Sequence, residues 1–202
     1  NFGANTEITY GNYGLWRFAG SVTGPLTDTI AARLDAVAVR RDGFYHDANN
    51  NVDVNDRNRY FVRGQILFEP SDALSFRLIG DYTHRVESCC GAVYVDQTVN
   101  PYIGSLNNLA VPLTTGATPP ADGNNIINVL RDLGQPLAAF NSGYARDLSV
   151  SRGRSYVGKT TDGGISLEGN LDLGGATLTS ITAYRQYRSG QPGDVDYSTV
   201  DI

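Results

Sequence analysis

The stretch RYFVRGQILFEPSDALSFRLIGDYTHR, Arg59 to Arg85, decides how this chain folds. It reads as two strands, 59–69 and 74–85, joined by a tight turn at Pro70-Ser71-Asp72. On the first arm Tyr60, Val62, Gly64, Ile66 and Phe68 alternate with Arg59, Phe61, Arg63, Gln65 and Glu69. On the second, Leu74, Phe76, Leu78 and Tyr82 alternate with Ser75, Arg77, Asp81, Thr83 and Arg85. Successive side chains of a strand point to opposite faces, so a period of two on both arms means a sheet with one apolar and one polar face. The apolar face must touch either a packed core or lipid.

The same alternation extends outward from the hairpin. Upstream, strands are expected over 5–13, 15–26 and 29–41, with Trp16, Phe18 and Val22 opposing Arg17, Ala19 and Ser21, and Ile30, Leu34 and Ala36 opposing Arg33 and Asp35. Downstream, 156–173 places Ile165, Leu167 and Leu171 against Asp162, Glu168 and Asn170. A strand over 177–188 follows, with an alternation too blurred to assign faces. The segment 43–57 reads as a polar loop and 86–154 as a very long outer loop. Within the latter, Ile126, Ile127, Val129, Leu130 and Leu133 recur at helical spacing before Gly134 and Pro136, which predicts a short helix over 124–133.

The connections are sorted. GPLTD, EPSDA and DLGGA are tight turns, and they alternate with the two long loops. In an antiparallel meander alternate connections fall at opposite ends, so one end carries only short turns and the other the loops. Membrane barrels have that asymmetry, and a soluble sandwich does not require it.

Composition narrows the class. No apolar run approaches the ~18 residues of a membrane helix, whereas barrel strands need only ~9–11 each. A net charge of −5 argues against a general nucleic-acid surface, and Lys159 is the one lysine. There is no methionine and no signal-peptide pattern, so the chain reads as an excerpt of a mature protein. No G-x-S-x-G, H-E-x-x-H or phosphate-binding loop occurs, and the reading is of a protein that binds rather than catalyses, without a cofactor.

The segments GNYGLWRFAGSVTGPLTDTIAARLDAVAVRRDGF (from Gly11), VNDRNRYFVRGQILFEPSDALSFRLIGDYTHR (from Val54) and GGATLTSITAYRQY (from Gly174) together resemble the early barrel region of TonB-dependent outer-membrane receptors. The resemblance covers most of the chain outside the long loop and lacks the plug domain. It implies an all-β antiparallel meander of about seven strands within a plugged barrel of about twenty-two. It also implies a bacterial outer-membrane location and energised uptake of a scarce solute such as a siderophore, cofactor or saccharide. The implied partners are lipid and lipopolysaccharide, the rest of the barrel and its plug, the inner-membrane TonB coupling complex and the small-molecule solute. The alternatives are a passive porin-like channel and a soluble β-rich binding or adhesion fragment.

In such a barrel Arg17, Arg33, Asp35, Arg63, Gln65, Arg77 and Asp81 would face the lumen. Tyr10, Tyr13, Trp16, Tyr60, Tyr82 and Tyr184 sit near expected strand ends, and Trp16, Tyr60 and Tyr82 are the membrane-interface aromatics of this reading. Ordinary strand propensity accounts for aromatics equally well. Asp47, Asn49, Asn51, Asp53 and Asn55 echo the start of a calcium loop, but Val52 stands where glycine is needed and Asn58 where a bidentate Glu is needed. Cys89 and Cys90 are adjacent, suited to a vicinal disulfide of structural role or a reactive thiol pair. His46 and His84 lack partners at metal-ligand spacing and read as ordinary surface or strand residues.

Overall fold

The structure, a computed structural model, describes residues 1–93, 133–134, 146–194 and 197–200. Among them there is no helix, and the strands are β1 Gly3–Gly11, β2 Leu15–Pro25, β3 Ile30–Arg41, β4 Tyr45–Asp47, β5 Val52–Val54, β6 Arg57–Ser71, β7 Leu74–Ser88, β8 Asp147–Leu148, β9 Val157–Asp172 and β10 Thr177–Gly190. The expected helix over 124–133 lies outside the described residues save for Leu133, which is in a turn.

The chain divides into two compact units. The first holds residues 1–42, 57–87 and 157–191. It is an antiparallel seven-stranded sheet in the order β1-β2-β3-β6-β7-β9-β10, with every strand beside its nearest sheet neighbour in sequence. The sheet is open, with β1 and β10 at its edges. Local chemistry sets the reversals. Tyr13 and Gly14 both have φ of 59°, and the Leu15 N–H donates to the Asn12 carbonyl at 3.3 Å, so β1 and β2 are joined by the mirror-image turn that matches strand twist. At the other end Thr27 Oγ1 accepts from the Thr29 and Ile30 N–H groups. Asp172 Oδ1 accepts from Gly174 N–H, where φ is +83°. Leu26–Thr29, Asp72–Ala73 and Leu173–Ala176 all lie at one end of the sheet, and the excursions 42–56 and 89–156 leave from the other.

Register then sorts the side chains. The rows Ile8–Phe18–Ala38–Tyr60 and Val22–Leu34–Gly64–Gly80 lie on one face. The rows Ser21–Asp35–Arg63–Asp81 and Thr23–Arg33–Gln65 lie on the other. The apolar face is the more open one: Ile8 is 69 % exposed and Leu34 51 %. The side chains of Asp35 and Asp81 on the polar face retain only 21 % and 18 %. Along β6 the same inversion repeats, with Tyr60, Val62, Ile66 and Phe68 exposed and Arg59, Phe61, Arg63 and Gln65 half-buried. β10 now has faces. Its even positions share the face of Ile165, through the pairs Tyr184–Ile165 and Thr182–Leu167, and its odd positions share that of Asp162. The row offers Ser180 and Thr182 where apolar residues would mark the face, which is why the alternation is blurred.

The second unit, residues 43–56, 88–156 and 192–202, has a three-stranded sheet in the order β5-β4-β8. The segments expected to be loops, 43–57 and 86–154, therefore contain strands, and β7 also runs on to Ser88. These strands are two or three residues long, too short to display a period. Among the described residues Val54, Leu148, Val150 and Tyr156 form its buried apolar cluster, flanked by Tyr45, Val93 and Tyr197. Tyr156, expected to open the strand 156–173, is instead part of this cluster, and β9 begins at Val157. Gly43 is required beneath it, because a Cβ there would stand 2.7 Å from the Val54 backbone.

Val54→Ala is expected to cost the second unit about 2 kcal/mol, the loss of two buried methyl equivalents plus a cavity. Hydrogen exchange at 45–54 and 147–150 should accelerate while β2 and β3 keep their protection; equal acceleration in β2 and β3 would show that the two units do not have separate cores.

Candidate functional site

The polar face of the seven-stranded sheet carries a row of paired charges. At its centre Asp35, Arg63 and Asp81 are cross-strand neighbours. Arg33 forks onto Asp35, with Nη2 2.7 Å from Oδ1 and Nε 2.9 Å from Oδ2. Arg185 of β10 spans Asp81 and Asp162, at 3.2 and 2.6 Å. The row thus alternates in sign across β3, β6 and β7, the cross-strand arrangement that opposite charges favour, and Arg185 on β10 bridges the two carboxylates of the neighbouring strands β7 and β9. Arg17 pairs with Glu7 on β1. Arg77, beside Leu67 and exposed, stands apart from these pairs. The seven polar residues singled out from sequence therefore share one face; Asp35, Arg63, Gln65 and Asp81 lie together with Arg33, and Arg17 and Arg77 lie away from them.

A second cluster, nearer the loop end, was not singled out. Glu87 is only 4 % exposed, and Arg59 grips it with Nε and Nη2 each 2.6 Å from a carboxylate oxygen. The Asn58 N–H donates to Glu87 Oε1 at 3.1 Å. Arg57 and Arg85 approach the same carboxylate to 3.8 and 4.0 Å. The sequence signal is Arg57-x-Arg59 and Arg85-x-Glu87, same-face pairs on adjacent strands, and the expected strands 59–69 and 74–85 stop short of Arg57 and Glu87.

On the apolar face aromatics form two bands. Tyr10 and Trp16 pack at 4.9 Å between centroids, Tyr60 and Tyr82 at 6.0 Å, and His84 stacks on Tyr82 at 6.5 Å, all in the half of the sheet nearer the loop end. Phe68 and Phe76 stack at 6.4 Å near the turn end. Tyr60 and Phe68 are eight residues apart on one strand, or about 26 Å at ~3.3 Å per residue. Tyr184 lies in the middle of β10 rather than near its end.

In the second unit the Asp/Asn ladder is a set of hydrogen-bonding devices. Asp47, fully buried, accepts from the Asn49 N–H (3.1 Å), Asn50 Nδ2 (2.7 Å) and the Tyr156 hydroxyl (3.0 Å). Asn55 clamps Gly91, donating to its carbonyl at 2.9 Å and accepting from its N–H at 2.8 Å. His46 Nδ1 lies 2.8 Å from Asp53, its partner across the β4–β5 pair, so it does have a carboxylate neighbour. Among the described residues no three His, Cys, Asp or Glu side chains are arranged to hold a metal ion. Cys89 and Cys90 are joined to one another by a disulfide, and the Cys89 N–H donates to the Tyr156 carbonyl at 3.0 Å.

Burial, with the Asp47 carboxylate beside it, pushes the Tyr156 phenol well above its ordinary value near 10. A raised folded-state value means this contribution is whole below pH ~10, where the unfolded phenol is also neutral, and is lost as pH rises beyond it. Tyr156→Phe is expected to cost about 1–2 kcal/mol at neutral pH, since Asp47 loses a buried donor, and to flatten the decline in stability above pH ~10. Urea unfolding of the two proteins at pH 7 and 11 measures both effects, and an unchanged alkaline slope would count against Tyr156 as its source.

Set beside known proteins, the chain matches no protein-family model, no curated protein sequence and no solved structure.

Proposed function

We propose that the seven-stranded sheet is a section of the wall of a large transmembrane β-barrel in a bacterial outer membrane. The whole barrel, in this reading, is a TonB-dependent receptor that imports a scarce solute such as a siderophore, cofactor or saccharide. The observation that carries the reading is the inverted sheet: the apolar face is open, while Asp35 and Asp81 at the centre of the charged face are sheltered. In water such a face forfeits roughly 25 cal/mol for each Å² of apolar surface left uncovered, and monomeric soluble proteins rarely display patches of this extent. Against acyl chains the same face is correctly dressed, and the alternating charges of the opposite face suit a wet lumen.

Two further features support it. With strands tilted ~35–45°, the aromatic bands flank an apolar stretch about 20 Å in height, of the order of the ~25 Å apolar belt of a barrel. Short turns at one end and long excursions at the other match the periplasmic and extracellular sides of such walls. In this reading β1 and β10 pair with further strands, because an unpaired edge in lipid costs several kcal/mol for each unsatisfied backbone group. The lumen would hold a plug, the outer rim would meet lipopolysaccharide, and coupling to the inner membrane would pass through the TonB complex.

The single-residue test compares the faces at one height. Leu34→Arg, on the open face between the aromatic bands, is expected to reduce membrane assembly by the equivalent of about 2–4 kcal/mol. Gln65→Arg, on the opposite face, should assemble normally. Recovery of the wild-type chain in the aqueous fraction without detergent, or equal tolerance of both substitutions, would sink the barrel reading.

A further inference from the structure

We infer that the loop-end margin of the open, apolar face is a docking surface for a layer of anionic lipid headgroups bearing phosphate. The inference names the chemistry that this face meets in the barrel-wall reading and rests on that reading, while the residues that carry it all lie in the seven-stranded sheet.

Charge on the open face is scarce and of one sign. Within the seven strands every acid stands at a polar-face position, odd on β1, β3, β6 and β7 and even on β9. The charged residues of the open face in those strands are Arg40, Lys159 and Arg188. Arg40 stands opposite Trp16 and Asn58, and Lys159 and Arg188 share the face of Ile165. Each lies at the loop end of its strand: Arg40 beside the last residue of β3, Lys159 two residues inside β9 and Arg188 two residues inside β10. The turn end of the same face carries Ile30, Phe68, Phe76, Leu171 and Leu178 instead. The cations also keep company with the aromatic band. Arg40 is in the row of Tyr10 and Trp16, and Arg188 stands opposite Thr161, whose hydroxyl lies 3.4 Å from Nδ1 of His84, the ring stacked on Tyr82.

The two faces treat their cations differently. On the polar face Arg33 and Arg185 are neutralised by carboxylates of the sheet itself. On the open face Arg40, Lys159 and Arg188 are exposed, and among the described residues none of their side chains has an ion-pair or hydrogen-bond partner. Asp42, just past the end of β3, has its carboxylate against Gly14. The compensating negative charge therefore comes from outside the sheet. Long basic side chains bury their stems on apolar surface and extend the charge to the polar boundary, where a lipid-facing cation costs little. The spacing selects a layer over a single small ion. Arg40 on β3 and Lys159 on β9 are three strands apart in the order β3-β6-β7-β9, about 14 Å at ~4.8 Å per strand. One phosphate cannot reach both, whereas a row of headgroups meets each in turn. A zwitterionic headgroup offsets its own phosphate, so the complementary leaflet is an anionic one.

Flotation of the full chain with vesicles after detergent removal tests this. One vesicle is phosphatidylcholine alone, and the other is phosphatidylcholine with an equal part of phosphatidylglycerol, whose phosphate is not offset. The chain is expected to float with both and to favour the anionic vesicle, with a preference that shrinks as salt is raised. Lys159→Gln and Arg188→Gln should each cut that preference about fivefold, the contribution of one basic residue beside an anionic surface. Arg77→Gln removes the same charge from the polar face and should leave the preference unchanged. Equal flotation of the wild-type chain with both vesicles, or the same loss in Arg77→Gln, would overturn the docking surface and keep the wall reading. Flotation with the anionic vesicle alone, reversed by high salt, would keep the docking surface and remove the wall reading. Flotation with neither would remove both.

Discussion

Everything on the seven-stranded sheet hangs on the register between β3, β6 and β7. Asp35, Arg63 and Asp81 stand opposite one another in it, and the period of the strand propagates it to every other residue. A slip of one residue between β3 and β6 would carry Leu34 and Ala36 to the charged face and Arg33 and Asp35 to the apolar one. The apolar pattern and the charge ladder therefore enforce the same alignment from opposite sides. Neither alone is strong, since exposed pairs contribute little in water, but an error violates both at every position.

That agreement explains why the sheet was legible in the sequence. Seven strands of nine to sixteen residues give many repeats of one period, and each boundary was found to within about three residues. The second unit was not legible, because its strands are two or three residues long and its sheet depends on a parallel pairing of His46 and Asp47 with Asp147 and Leu148, a hundred residues away. Nothing local marks such a contact. Asp47 illustrates the point: in sequence it begins a possible calcium loop, whereas in space it accepts from the Tyr156 hydroxyl.

Parity is enough to place Arg17, Arg33, Asp35, Arg63, Gln65, Arg77 and Asp81 together on a face. It cannot say which of them are neighbours, since that depends on the turn lengths that set stagger. Arg185 reached Asp81 from a strand whose faces the sequence left open, and the Glu87 cluster emerged only because β6 and β7 extend beyond the expected ends.

The meander also separates what must be conserved in shape from what can change. β7 and β9 are neighbours in the sheet although residues 89–156 intervene, and among the described residues none of that excursion belongs to the seven-stranded sheet. The entropy of closing a loop grows only with the logarithm of its length, each doubling adding about 0.6 kcal/mol. Lengthening, shortening or replacing 89–156 would thus leave the sheet's alignment almost untouched. The architecture allows a lineage to revise what the protein meets on the loop side by exchanging one insert, with the hydrogen-bonded frame inherited unaltered.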